Sequence, residues 1–339
     1  MPRSISVQSA IVEVVRGPSV ECRHLVDIVI ADAEGSIVKS FGDAQRLVYP
    51  RSSIKSLQAL PLIESGAADR LKFKPRHIAL ACASHNGEEM HVTTAREMLA
   101  AAGLGEHCLE CGAQLPDRQS DRDRLAVEGI SPGAIHNNCS GKHSGFLCFA
   151  VEEGMDPQGY VRVGHRVQKA IAQTLSEVTA SPHGQDNCGI DGCSIPTWTI
   201  PLENLAKAYA RFGVGEGGGR ERSKAMLRLR DACMEHPEMV AGTDRFDTAI
   251  MSALKGRVFT KSGAEGMFVA ALPEKGLGIA LKVHDGAERA SQVAIAACIE
   301  SLLELDETEA KALKELSNPV QKNRNDLVVG SLRPAFDMR

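Results

Sequence analysis

The order of hydrophobic periods along the chain constrains its fold most. Residues 11–15 are mostly apolar and β-branched, and residues 25–30 form a second such run. A turn at Ala33-Glu34-Gly35 leads into a third run at 36–41, which is hairpin chemistry. The same character returns late, at 267–272 and 276–283 on either side of Pro273-Glu274-Lys275. Between these ends the apolar spacing is helical, over 52–63, 88–102, 167–178, 202–212, 221–234 and 243–254. Two serines suited to capping open the first of these, and Pro61 threatens to end it early. A long amphipathic helix is expected at 287–305, followed by a tail with a helical start, Pro319 and then polar residues. The expected architecture is α+β: one antiparallel sheet from about 8–50 and 256–305, with a helical region at about 52–255 inserted, all within a single unit 1–339. A cleft where sheet and helices meet would be the usual place for a site.

Composition excludes several classes. The chain is 43% hydrophobic and 24% charged, with a net charge of -4 and no basic tract, so nucleic acid is not an expected partner. No apolar run reaches the roughly 18 residues of a membrane span, and the first residues lack the apolar core of a signal peptide. A cytoplasmic protein is therefore expected, without a disulfide framework among its ten cysteines. Cys82, Cys148 and Cys298 sit in apolar stretches, as buried small hydrophobes do. Cys139 and Cys193 lie instead in polar, glycine-bearing loops. Cys108 and Cys111 make one C-x-x-C pair with no second pair, too little for a zinc knuckle. Residues 213–219 hold five glycines, but no Lys-Ser/Thr follows them, so they read as a connection and not a phosphate loop.

Five segments could carry chemistry. Ser52-Ser53-Ile54-Lys55 places a serine and a lysine three apart, on one face of a helix. A serine hydroxyl needs a base, and a lysine amine becomes one when burial or another cation depresses its pKa. Ala83-Ser84-His85-Asn86-Gly87 puts a second serine in a tight loop before a helix, where a simple cap would also fit. Thr260-Lys261-Ser262-Gly263-Ala264-Glu265-Gly266 sets a lysine on a strand-like segment, followed by small residues that admit a close backbone approach. The order S-x-x-K, serine loop, Lys-Ser-Gly matches that of the penicillin-recognising serine enzymes. The remaining two segments, residues 136–143 (HNNCSGKH) and 188–193 (CGIDGC), are dense in groups that bind metal or substrate.

Together these pieces resemble the rhizobial-type L-asparaginases, the asparaginase II or class 3 family, from Val12-Glu13-Val14-Val15-Arg16-Gly17 to the helix after Val283. Residues 136–143 carry the most specific match. Cys22 departs from the serine expected there, outside the catalytic pieces. The resemblance implies a fold like the serine β-lactamases and penicillin-binding proteins, a homodimer, and two serine–lysine pairs, Ser52 with Lys55 and Ser84 with Lys261. It also implies a labile zinc ion (Zn2+) held by Cys139, Lys142 and Cys193, with water completing the shell, beside the pocket and assisting substrate binding. The activity it implies is hydrolysis of L-asparagine to aspartate and ammonia. Charge and position nominate Asp191 for the substrate α-ammonium and Arg51 for its α-carboxylate. Two other readings stay open at this point: a β-lactam-reactive serine hydrolase, and a non-catalytic zinc-binding protein. Sequence leaves glutamine against asparagine undecided, since one methylene is worth only ~1–3 kcal/mol of discrimination.

Overall fold

The structure is a computed structural model and describes residues 8–338. The chain forms two compact units. The first comprises the N-terminal part to Ser53, Ile200–Val214, and Ile250 onward; the second comprises Ile54–Thr199 and Gly215–Ala249. In chain order the strands among the described residues are β1 (Ala10–Arg16), β2 (Ser19–Asp32), β3 (Ile37–Phe41), β4 (Leu47–Val48), β5 (Cys188–Ile190), β6 (Pro196–Trp198), β7 (Ile200–Pro201), β8 (Phe259–Gly263), β9 (Met267–Leu272), β10 (Leu277–Val283), β11 (Val320–Lys322) and β12 (Val328–Pro334).

The first unit is built on an antiparallel sheet drawn from both chain ends, in the order β11-β12-β1-β2-β10-β9-β8, with β3 also on β2. The sequence predicts an antiparallel sheet from both chain ends, and β1, β2, β3, β8, β9 and β10 fall in the two segments expected to form it. The long strand β2 organises it: Ser19–Val26 pair with β1, while Val26–Asp32 pair with β10 and Ile28–Ala31 with β3. Its second half, up to Ala31, is buried on both faces, hence a run that is apolar except for Asp27; its first half alternates exposed with half-buried or buried residues. The sequence reading caught only the apolar half. It also missed β11 and β12, which are largely half-buried or exposed, with Leu332 alone buried. They join the sheet through backbone pairing, β12 with β1 and β11 with β12.

The Leu202–Val214 helix, read from sequence as part of the helical region, belongs to the sheet unit and packs on β2, β9 and β10. Gly278 makes this approach possible. A Cβ there would fall 2.1 Å from the Ala206 carbonyl oxygen and 2.2 Å from the Ala210 nitrogen. Tyr209 and Phe212 of this helix pack on Phe259 of β8, with ring centroids 5.9 and 5.0 Å apart.

The second unit is mainly helical. The Arg166–Thr179 helix shows why: Val167, Ile171, Leu175 and Val178 recur at helical spacing and are buried. His165 caps it by accepting the Val167 N–H at 3.1 Å. The Ser140–Glu152 helix crosses Pro75–Ala81 at backbone distance, since a Cβ on Gly141 would lie 2.3 Å from the Leu80 carbonyl oxygen. The helix expected over 52–63 is broken. A 3-10 turn at Arg51–Ile54 leads into Lys55–Gln58, and a second short helix, Leu60–Glu64, follows. Pro61 sits in the first turn of the latter, where its missing N–H matters least. The serines do not cap: Ser53 Oγ donates to the Pro50 carbonyl at 2.7 Å instead. Among the described residues no helix is long and apolar enough to cross a membrane, and all ten cysteines are free thiols.

Gly278→Ala is expected to destabilise the protein by about 1–3 kcal/mol, the usual range for overpacking a filled core. The check is a urea midpoint that falls at constant slope. Gly164→Ala, whose added carbon meets nothing within 4 Å, is the control.

Candidate functional site

In the second unit the Lys55 amine is the centre of a buried polar cluster. Lys55 is 1% exposed. Its Nζ donates to the Ala83 carbonyl at 2.6 Å, to Ser84 Oγ at 2.8 Å and to Cys139 Sγ at 3.1 Å, so all three ammonium hydrogens have an acceptor. Desolvation pushes this amine below the ordinary lysine range, and the Lys142 charge pushes the same way; Cys139 and Cys193 pull against them.

The loop around Ser84 is fixed from several sides. Its own N–H donates to the Val240 carbonyl at 2.8 Å, and that of His85 to the Asn138 carbonyl at 3.1 Å. The His85 ring settles its own tautomer. Nδ1 accepts from the Gly87 N–H at 3.1 Å, so Nε2 carries the hydrogen and donates to Ser140 Oγ at 3.0 Å. Gly87 has φ +75°, and a Cβ on it would come within 2.7 Å of the His136 carbonyl oxygen. The serine loop and residues 136–140 are thereby held together.

Cys139 precedes the Ser140–Glu152 helix, and its N–H donates to Asn137 Oδ1 at 2.8 Å. Asn137 is itself anchored by donating to the Cys111 and Gly112 carbonyls at 3.0 and 3.1 Å. Cys193 comes from the turn between β5 and β6, where Ser194 adopts φ +74°. Lys142 Nζ donates to Cys193 Sγ at 3.1 Å. The two thiols hydrogen-bond to each other, and that contact, with the Lys55 and Lys142 charges, lowers the Cys139 pKa against burial. Burial alone would depress Lys142, but Cys193, Cys139 and Asp191 raise it above the usual lysine range. Asp191 sits in the same turn as Cys193, with Oδ1 accepting the Gly192 N–H at 2.8 Å.

The first unit holds Ser52, half-buried in the 3-10 turn, and Arg51 before it, with φ +52°. Lys261 lies on edge strand β8, fully buried, with Nζ donating to the Ser262 carbonyl at 2.9 Å. Gly263, two residues on, brings β8 against the turn: a Cβ would lie 2.7 Å from the Pro50 carbonyl oxygen and 3.0 Å from the Ser53 nitrogen.

Five of the residues singled out in the sequence thus meet in one unit: Lys55, Ser84, Cys139, Lys142 and Cys193. The resemblance pairs Ser84 with Lys261; the hydrogen bond seen within the second unit joins Ser84 to Lys55. Sequence reasoning missed the contact between Lys55 and Cys139, 84 residues apart, and the supporting roles of His85 and Asn137. The asparagine and histidine density of residues 83–87 and 136–143 was the available signal.

As a metal site, the cluster has an unusual donor set. Among the described residues no group of three or more His, Cys, Asp and Glu side chains is placed to hold a metal ion. Two thiol sulfurs and an amine nitrogen converge instead, already in mutual hydrogen-bond contact, and sulfur and nitrogen donors suit zinc.

A family model described as L-asparaginase II matches residues 12–334 of the chain. No curated protein matches it. Among solved structures, the chain is similar to Mglu at 13% identity and a TM-score of 0.36, covering 86% of this chain and 65% of that one. It is similar to a β-lactamase from Mycobacterium bovis at 13% identity and a TM-score of 0.31, over 81% of this chain and 94% of that one. A third likeness, to simvastatin synthase from Aspergillus terreus, has 9% identity and a TM-score of 0.29, over 76% and 84%. The chain spans 59–65% of the length of the Mglu structures it matches. At these scores the structural likenesses say nothing about chemistry.

The buried histidines set a pH dependence. Burial, with the charges of His91, Lys55 and His136, holds His85 well below its ordinary value of 6.5, and burial also depresses His91 stacked on it at 4.7 Å. Their folded pKa values lie below the unfolded ones, so the unfolded chain binds more protons in acid. Stability should therefore be full above pH 6.5 and fall as the pH drops below it, by up to about 1.4 kcal/mol per pH unit for each histidine. Urea melts at pH 7.5 and 5.5 measure this, and His85→Asn should flatten the difference. Equal midpoints at both pH values in the parent protein would contradict it.

Proposed function

The chain belongs to the L-asparaginase II family, and from that we propose that it hydrolyses the side-chain amide of L-asparagine to L-aspartate and ammonia, with Ser52 as nucleophile and Lys55 as its base. One observation supports this reading above the others. The Lys55 amine, three residues after Ser52, is taken out of water, depressed in pKa, and already hydrogen-bonded to a second serine. A lysine whose pKa is depressed in this way gives up its proton more readily and can serve as a base.

In this reading Ser52 Oγ attacks the amide carbon while Lys55 Nζ takes the hydroxyl proton. Backbone N–H groups, that of Ser52 among them, stabilise the oxyanion. The tetrahedral intermediate then collapses, and the leaving nitrogen receives its proton through Ser84, whose Oγ lies 2.8 Å from Lys55 Nζ. Ammonia departs and leaves a β-aspartyl ester on Ser52. Water, activated by the same amine, hydrolyses that ester and restores the serine. Lys261 takes the part of the second amine, disfavouring a proton on Lys55 by like charge. Arg51 and Asp191 are assigned the substrate carboxylate and ammonium. Cys139, Lys142 and Cys193 would hold the zinc ion, which when bound would supply a Lewis acid for positioning substrate. A homodimer, a cytoplasmic setting and a zinc cofactor belong to this proposal as the resemblance and the sequence suggest them.

Ser52→Ala should lower kcat about a thousandfold or more with an unchanged circular dichroism spectrum. Retention of near-parental turnover would remove Ser52 from the mechanism. Lys55→Met and Lys261→Met should each lower the rate by orders of magnitude, and the double variant should be little worse than either. Multiplicative losses would show that the two lysines act independently.

Cys139→Ser or Cys193→Ser should reduce zinc uptake in a titration of metal-stripped protein, and raise KM more than it lowers kcat. Zinc affinity should weaken as the pH falls and the thiols are protonated. If neither the parent nor the variants take up zinc, the metal site is wrong.

A further inference from the structure

The turn that carries Ser52 is held in place by groups the proposed chemistry does not use, all of them in the first unit. Arg51 has φ +52°, a left-handed backbone that arginine seldom adopts. Such a conformation persists only where surrounding contacts over-determine it. Here the contacts are specific. The Ser53 N–H donates to the Pro50 carbonyl at 3.1 Å, and Ser53 Oγ donates to the same oxygen at 2.7 Å, closing the turn over Arg51 and Ser52. Gly263 of β8 abuts that carbonyl from outside, with no space for a side chain. On the other flank, Tyr209 Oη donates to the Ser53 carbonyl at 2.5 Å.

Tyr209 is built to hold a fixed point. It is fully buried, its ring stacks on Phe259 at an interplanar angle of 9° and meets Phe212 edge-on at 5.7 Å. It stands on the Leu202–Val214 helix, which Gly278 lets down onto the sheet backbone. Phe259 begins the same strand that carries Lys261 and Gly263. A short hydrogen bond from an immobile phenol therefore ties the peptide after Ser52 to the sheet, while the adjoining strand fixes the peptide before Arg51.

We propose that Tyr209 is a positioning residue for the nucleophile: its hydroxyl, through the Ser53 carbonyl, holds the left-handed turn that aims Ser52 Oγ. The inference rests on Ser52 being the nucleophile. A small rotation of a turn misdirects an attacking oxygen without altering the groups that bind substrate, so the effect falls on kcat.

Tyr209→Phe removes the hydroxyl and keeps the ring stack. The expected result is a kcat for asparagine lowered about tenfold, one oriented hydrogen bond's worth of barrier, with KM within about twofold of the parent. Labelling of Ser52 by a sulfonyl fluoride, followed by peptide mass spectrometry, should slow in parallel. Gly263→Ala, which pushes on the Pro50 carbonyl from the opposite flank, should give the same split and decides the matter if Tyr209→Phe does not fold. A variant with a lowered melting temperature but parental kcat and labelling rate would overturn the proposal. Ser52→Ala in the same assays separates the two ideas. If it is inactive and unlabelled while Tyr209→Phe runs at full rate, only the positioning role fails; if Ser52→Ala keeps turning over, the nucleophile assignment itself is wrong.

Discussion

An ammonium group taken out of water loses several kcal/mol of solvation, and the Lys55 amine has undergone that loss almost completely. Everything around it in the second unit answers this one demand. A backbone carbonyl, a hydroxyl and a thiol sulfur accept its three hydrogens. Each acceptor is itself held: the Ala83–Ser84 loop by Val240, Asn138 and the His85 ring, and Cys139 by the Asn137 side chain. The close crossing at Gly141 brings the helix that bears Lys142 to the helix that leads into Ala83. The same burial that makes the amine expensive to charge lowers its pKa, as the proposed role of a base requires.

The thiols add a second electrostatic layer. The Cys139 sulfur accepts from Lys55 and the Cys193 sulfur from Lys142, and the two thiols hydrogen-bond to each other. The donors proposed for zinc are thus in hydrogen-bond contact with the proposed base. Any change in the charge of Cys139 acts on Lys55 across a contact of 3.1 Å. Lys55, Ser84 and the two thiols, which look like separate motifs along the chain, share one buried network.

Much of this was legible in the sequence, and for definite reasons. Residues 267–272 are recovered as β9 without a shift, because a turn bounds the run and both faces are buried. The serine–lysine segments and the two polar cysteine loops stood out because nucleophiles and thiols in glycine-bearing loops have few structural uses. What failed was whatever depends on pairing instead of composition. Strands β11 and β12 are mixed in composition, and pairing with the neighbouring backbone makes them strands. The Leu202–Val214 helix has a clear helical period, but a period cannot say that Gly278 waits beneath it and makes it part of the sheet unit. Lys142 reached the list of ligands through family resemblance, since no spacing rule favours a lysine donor. Arg51 was chosen for its charge, yet its backbone is the more unusual feature.

If the amide is cleaved through an ester on Ser52, assisted by a desolvated lysine, rapid acid quench of the enzyme with L-asparagine followed by peptide mass spectrometry should trap it. A β-aspartyl adduct is expected on the peptide containing Ser52, formed within one turnover and absent from Lys55→Met at the same time point. Turnover with no adduct on that peptide, or an adduct on another residue, would contradict it.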